Sequence, residues 1–165
     1  MTRLVLSLLL AATAASCGPV VPEDARAREV VGRQHREIWS AGDFSGLEEL
    51  YAPDYVGHFP GTRVEGRDAL RAFVTAHRDA FPDWTETVED LIVEGNRVAT
   101  RFTSTGTQRG AFLGVPATGR SVEIGEASVF HLEGGRIVEQ WAYPDVSALQ
   151  QQLSAAGAGQ VAPGP

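Results

Sequence analysis

Cysteine occurs once in these 165 residues, at Cys17, and lysine does not occur at all. A single cysteine cannot form an intramolecular disulfide, and it excludes any redox or metal site that needs two thiolates. His35, His58, His77 and His131 follow no metal-ligand spacing, so neither a metal nor another cofactor is expected. The fourteen basic residues are all arginines, spread along the chain among 21 acids, and the net charge is −7. With no basic run there is no surface to track phosphates, so no nucleic-acid partner is expected. The lack of lysine also disposes of a near match to a phosphate-binding loop at residues 114–121. There Arg120 stands at the lysine position, Pro116 removes a backbone donor, and a strand follows where a helix N-terminus is required. No Gly-x-Ser-x-Gly elbow is present. Long hydrophobic runs are scarce: the apolar stretch Leu4 to Leu10, broken by Ser7, falls well short of the about 20 residues a bilayer span needs.

The N-terminus does have the three-part layout of an export signal, with Arg3 near the start, the apolar stretch, and the small residues Ala11 to Ser16. Ala14-Ala15-Ser16-Cys17 resembles the lipobox of bacterial lipoproteins, in which the cysteine is acylated and becomes the first mature residue. That resemblance implies a signal peptide at 1–16, lipidation of Cys17, and an exported protein held to the cell envelope membrane by a lipid anchor. Residues 17–24, with two prolines and no period, read as a tether. Residues 154–165, rich in Ala and Gly and ending in proline, read as a disordered tail. The remainder, 25–153, is long enough for one domain with a core.

Within that domain, Ala27, Val30, Val31, Gln34 and Ile38 fall at helical spacing and Gly42 marks the stop. A short helix with Phe44, Leu47, Leu50 and Tyr51 is expected to end at Pro53, followed by an extended Tyr55 to Phe59. Leu70, Phe73, Val74, His77 and Phe81 form the stripe of a third helix that begins near Arg67 and stops at Pro82. From Trp84 onward the period becomes two, which predicts strands at 85–94, 97–105, 121–132 and 136–143, then a short helix at 146–153 capped by Asp145. Helices first and a meander afterwards indicate an α+β fold with helices against a curved, mostly antiparallel sheet that encloses a pocket.

Asp83-Trp84, the run Val88 to Val98, Arg101 to Thr107, Gly110 to Gly119 and Gly135 to Trp141 together resemble the SnoaL-like polyketide cyclases, or ester cyclases, of the NTF2-like superfamily. The resemblance spans about 25–153 with its order intact. It implies an NTF2-like cone, a pocket for a small hydrophobic or polyketide-like molecule, and a fold in which homodimers are frequent. The cyclases of this family use an aspartate in the last strand as acid and base; alignment of the final strand puts Ala142 at that position. A family histidine one strand earlier falls at Ser128, and another after the Gly-Thr turn falls at Gln108.

Strand alternation places Glu126 with Ser128, and Gln140 with Ala142, on one face. If that face lines the pocket, Glu126 is a carboxyl partly sealed from water and suited to act as a base; pairing with Arg101, or simple exposure, is the alternative. His58, after Tyr55-Val-Gly57, is a candidate base at the pocket mouth, or else a solvated loop histidine. His77 on the helical stripe is a core histidine first and a pocket residue second. Either Arg101 or Phe102 lines the pocket, since one bulge would exchange them. Three readings remain open: a tethered binding domain, a cyclase- or isomerase-type enzyme acting through His58 and Glu126, and an envelope protein-interaction domain.

Overall fold

The computed structural model describes residues 22–154. The lipobox with Cys17, the signal peptide, most of the tether and all of the tail beyond Ser154 lie outside those residues. Glu23 and Asp24, acidic residues that favour a helix start, form the first turn of helix α1 (Glu23–Arg33). The helix then widens into a π-helical segment, Gln34–Ala41, where a single α-helix to Gly42 is expected. Ser40 marks the change, because its hydroxyl donates to the carbonyl of His35 at 2.8 Å. Gly42 ends the segment in the left-handed region, at φ 67°, as its expected stop.

The short helix α2 covers only Leu47–Leu50. Tyr51 belongs instead to strand β1 (Tyr51–Phe59), so Pro53 does not end a helix. It sits where the register between β1 and the strand beside it shifts, between Tyr51 and Val56, a place that tolerates a residue without a backbone donor. A further strand, β2 (Thr62–Glu65), hairpins back onto β1 and was not foreseen. Helix α3 (Gly66–Ala80) follows, stopping one residue before Phe81.

The second half follows the period-two pattern closely, as β3 (Thr85–Glu94), β4 (Arg97–Thr107), β5 (Ser121–Glu133) and β6 (Arg136–Pro144), then α4 (Val146–Ser154). Asp145 caps α4, its Oδ1 accepting from the Ala148 amide at 2.8 Å. The six strands form one open sheet in the order β2-β1-β6-β5-β4-β3. Every pairing is antiparallel except β1 with β6.

Two apolar clusters hold helices to sheet. Val31, Ile38, Leu47, Leu50, Leu70 and Val74 meet Val98, Phe130 and Ile137 in the first. Each such side chain, fully buried, contributes about 1.5–3 kcal/mol of transfer free energy. Phe81, Trp84, Val122 and Ile124 meet Leu149 and Leu153 of α4 in the second. Between the clusters the packing is incomplete, and a cavity remains.

Candidate functional site

The cavity measures about 550 Å³. Its rim is made of exposed residues from the β1–β2 turn, Pro60 to Thr62, and from the β4–β5 loop, Ala111 and Leu113. Trp39, Phe59, Phe73, Trp84, Phe102 and Phe112 supply most of its apolar wall. Its polar groups come from the helical layer (Gln34, His35, His77) and from the inner face of the sheet (Glu86, Glu126, Ser128, Gln140).

Strand alternation explains the sheet's share. On β4 the residues Val98, Thr100, Phe102 and Ser104 point inward, and on β5 Val122, Ile124, Ser128 and Phe130 do so, with Glu126 between them. Glu126 lies opposite Phe102, and Ser128 lies between Thr100 and Ala142. A register shift on β3 between Val88 and Asp90 makes Glu89 an extra residue, so that Glu89 and Asp90 both reach Arg101.

Two expectations are corrected by this geometry. Arg101 is on the outer face, 60% exposed and bonded to Glu89 and Asp90, so Phe102 is the inward member of the pair. Arg101 therefore does not neutralise Glu126. His58 also lies outside the cavity: it pairs with Glu139 at 2.8 Å and stacks on Trp141 at 5.3 Å, both on the sheet's outer face. Neighbours in the pleat explain this, since Tyr55 and Phe59 point inward and an odd step from either points out.

The other residues expected at the pocket, His77, Phe102, Glu126, Ser128, Gln140 and Ala142, all line it. Gln140 Oε1 accepts from the Tyr55 hydroxyl at 2.9 Å. His77 is boxed by Trp39, Phe81, Trp84 and Phe112, with ring centroids 4.5–5.8 Å away. Burial there pushes its imidazole down to about 4, with Arg78 adding repulsion, so it is neutral at pH 7. Glu126 is displaced the other way. Burial, reinforced by the Glu86 carboxylate, pushes it up to about 8, while Ser104 nearby eases the shift without a full hydrogen bond. Glu126 Oε1 is buried and has no hydrogen-bond partner.

Gln108 has a different task. Fully buried, its side chain donates to the Val115 carbonyl and accepts from Thr118, which braces the β4–β5 loop at the rim. Among the described residues, no group of three His, Cys, Asp or Glu side chains is placed to hold a metal ion.

The pair that sequence reasoning missed is His35 with Glu86. Their contact, Nδ1 to Oε2 at 2.5 Å, is almost wholly buried, with the two side chains 1% and 5% exposed. A signal was there: His35 is four residues after Val31 on the apolar face, and Glu86 shares the face of Trp84 two residues earlier. What the sequence lacked was any means of bringing residues 51 positions apart together.

The family model for SnoaL-like polyketide cyclases matches residues 29–153, which is nearly the whole described domain. The chain belongs to this family. Among solved structures it is similar to a candidate SnoaL-like polyketide cyclase from Jannaschia sp. CCS1, at 30% identity and a TM-score of 0.77, over 85% of this chain and 99% of that one. It is also similar to TsrD from Streptomyces laurentii, at 28% identity and a TM-score of 0.74, over 82% and 100%. A third likeness is to IdmH, a candidate polyketide cyclase from Streptomyces antibioticus, at 33% identity and a TM-score of 0.68, over 77% and 97%. No curated protein matches the chain. The SnoaL-like fold is therefore the NTF2-like cone, here with an open six-stranded sheet.

Proposed function

We propose that this SnoaL-like domain is tethered at the cell envelope, takes a small hydrophobic or polyketide-like molecule into its cavity, and moves a proton on it through Glu126. The observation that carries this reading is a carboxyl group with a buried, unpartnered oxygen in the wall of an otherwise mostly apolar cavity. Such an oxygen gains most from a ligand that brings a hydrogen-bonding partner. At neutral pH the group is largely protonated, so it enters the reaction as an acid and can recover its proton afterwards.

Ala142, at the position where the family resemblance places the cyclases' last-strand aspartate, lines the cavity without a titratable group. Ala142 and Ser128 favour a second reading, in which the cavity binds its molecule and does no chemistry. Proton exchange separates the two. In D2O the protein should speed exchange of the α protons of 2-tetralone, a neutral bicyclic ketone, and Glu126→Gln should lower kcat about tenfold or more. Affinity, followed through the fluorescence of Trp39 and Trp84, should change by less than about threefold. Equal exchange in the variant and the wild type would leave only binding.

A further inference from the structure

Glu126 supplies one half of a proton transfer, and the cavity wall holds a second buried pair that the reading above does not use. The inference rests on that reading in one respect, that the cavity takes a carbonyl compound. Glu86, as a carboxylate, can only accept at its 2.5 Å contact, so the proton of that bond sits on His35 Nδ1. The other ring nitrogen, Nε2, is buried in the cavity wall with no partner. A carboxylate behind one nitrogen and nothing before the other is how an imidazole is oriented to take a proton.

The pair is held from several sides. Ser40 donates to the His35 carbonyl at 2.8 Å and accepts from the Glu86 amide at 2.9 Å, so one hydroxyl joins the two backbones. Trp84 Nε1 lies 3.5 Å from the second Glu86 oxygen. Phe102 and Phe130 pack the imidazole ring at 4.6 Å and 5.9 Å. The π-helical segment that begins at Gln34 sets the position of His35, and such widened turns occur frequently at functional sites. Phe102, which packs on the His35 ring, is also the cross-strand neighbour of Glu126, and all three line the same cavity.

We propose that His35, oriented by Glu86, is the base of this cavity and that Glu126 faces it as the acid, acting together on a carbon next to a carbonyl group. The α C–H bond breaks and its proton passes to Nε2. The electron pair moves into the C=C bond of an enol as the carbonyl oxygen takes the Glu126 proton. When the enol carbon recovers a proton, both transfers run in reverse. When it attacks a second carbonyl, the new C–C bond leaves an alkoxide that takes the His35 proton, and the enol oxygen returns its proton to Glu126 as its C=O bond re-forms. The Glu86 carboxylate in the wall disfavours anions and the aromatic wall favours apolar molecules, so the substrate class is a neutral hydrophobic ketone or dicarbonyl.

The test is 2-tetralone exchange by the full chain in D2O across a range of pH. The ionisable groups that line the cavity with His35 are Glu86 on β3, Glu126 on β5 and His77 on α3, and Tyr51 on β1 donates to the adjacent Gln34. Strands β4 and β6 present Phe102, Gln140, Ala142 and Pro144 to the cavity and no charge. His35→Gln and Glu86→Gln should each lower kcat about a hundredfold, with KM within about threefold. Glu86→Gln, as a variant of a positioning residue, should act only through His35, so that adding it to His35→Gln should lower kcat by less than about threefold more. Exchange that survives in both variants while Glu126→Gln abolishes it would overturn the assignment and leave the Glu126 reading standing. Losses that multiply in the double variant, as for independent residues, would refute the pairing of His35 with Glu86. A wild type that binds tetralone without exchanging its protons would overturn both readings.

Discussion

Glu126 and His77 give the fold opposite responses to pH. The Glu126 carboxyl is raised from 4.5 to about 8, so the folded state keeps a proton that the unfolded chain releases. Its contribution is complete below pH 4.5 and is lost as pH rises through about 8, an effect of up to about 5 kcal/mol. The His77 imidazole is lowered from 6.5 to about 4, so its contribution is present above 6.5 and is lost as pH falls through about 4. Urea unfolding should therefore show wild-type stability nearly level from pH 5 to 6.5, where the two effects oppose, and declining from there to pH 9, a decline that Glu126→Gln should lack. Parallel profiles for the two proteins would show that Glu126 is ionised in the fold. At this scale the sequence was readable wherever alternation is regular: Glu126, Ser128, Gln140 and Ala142 share the inner face because β5 and β6 keep period two between them. It failed at His58, one step of the pleat from Phe59, and it left Arg101 against Phe102 open although β4 pairs with β5 without a shift and its alternation turns Phe102 inward.

The element that matters most to the site is the π-helical segment, and one arginine on another helix holds its end. Arg78 of α3 donates to the carbonyls of Trp39 and Ser40 at the end of that segment, and to those of Pro82 and Trp84 before β3. It thus ties together the two elements that carry His35 and Glu86. Lysine has a single donor centre and cannot span all four acceptors. Arg78→Lys should lower unfolding free energy by about 1.5–3 kcal/mol, the cost of leaving such carbonyls unmet, and should weaken tetralone exchange. An unchanged denaturation midpoint would show that solvent satisfies those carbonyls instead. Neither the π-helix nor this bracket was legible beforehand. The apolar spacing up to Ile38 fits an α-helix well enough, and the widening depends on the Ser40 hydroxyl and on Arg78, 38 residues further on. The strands of the second half were legible because each is long and regularly alternating. Strand β2 was not, being four residues with one buried side chain.

For the molecule as a whole, the fold class and its family follow from the second half of the chain, where the motifs and the meander coincide. The tether rests on the lipobox-like sequence ending at Cys17. In a bacterial host, radiolabelled palmitate should enter the wild type and not Cys17→Ser; equal labelling of both would remove the anchor from the account. A cavity facing a membrane surface would meet apolar molecules at high local concentration, which suits the aromatic wall. All of this depends on the cavity being a real binding site, open to an apolar guest. The direct measurement is titration of the full chain with 1-aminoanthracene, a neutral probe whose fluorescence rises on leaving water, beside the variant Ala142→Trp, which fills the cavity from its β6 wall. The wild type should show saturable binding of one probe per chain, weakened about tenfold or more in Ala142→Trp. Absence of saturable binding, or equal affinity in the filled variant, would contradict the account.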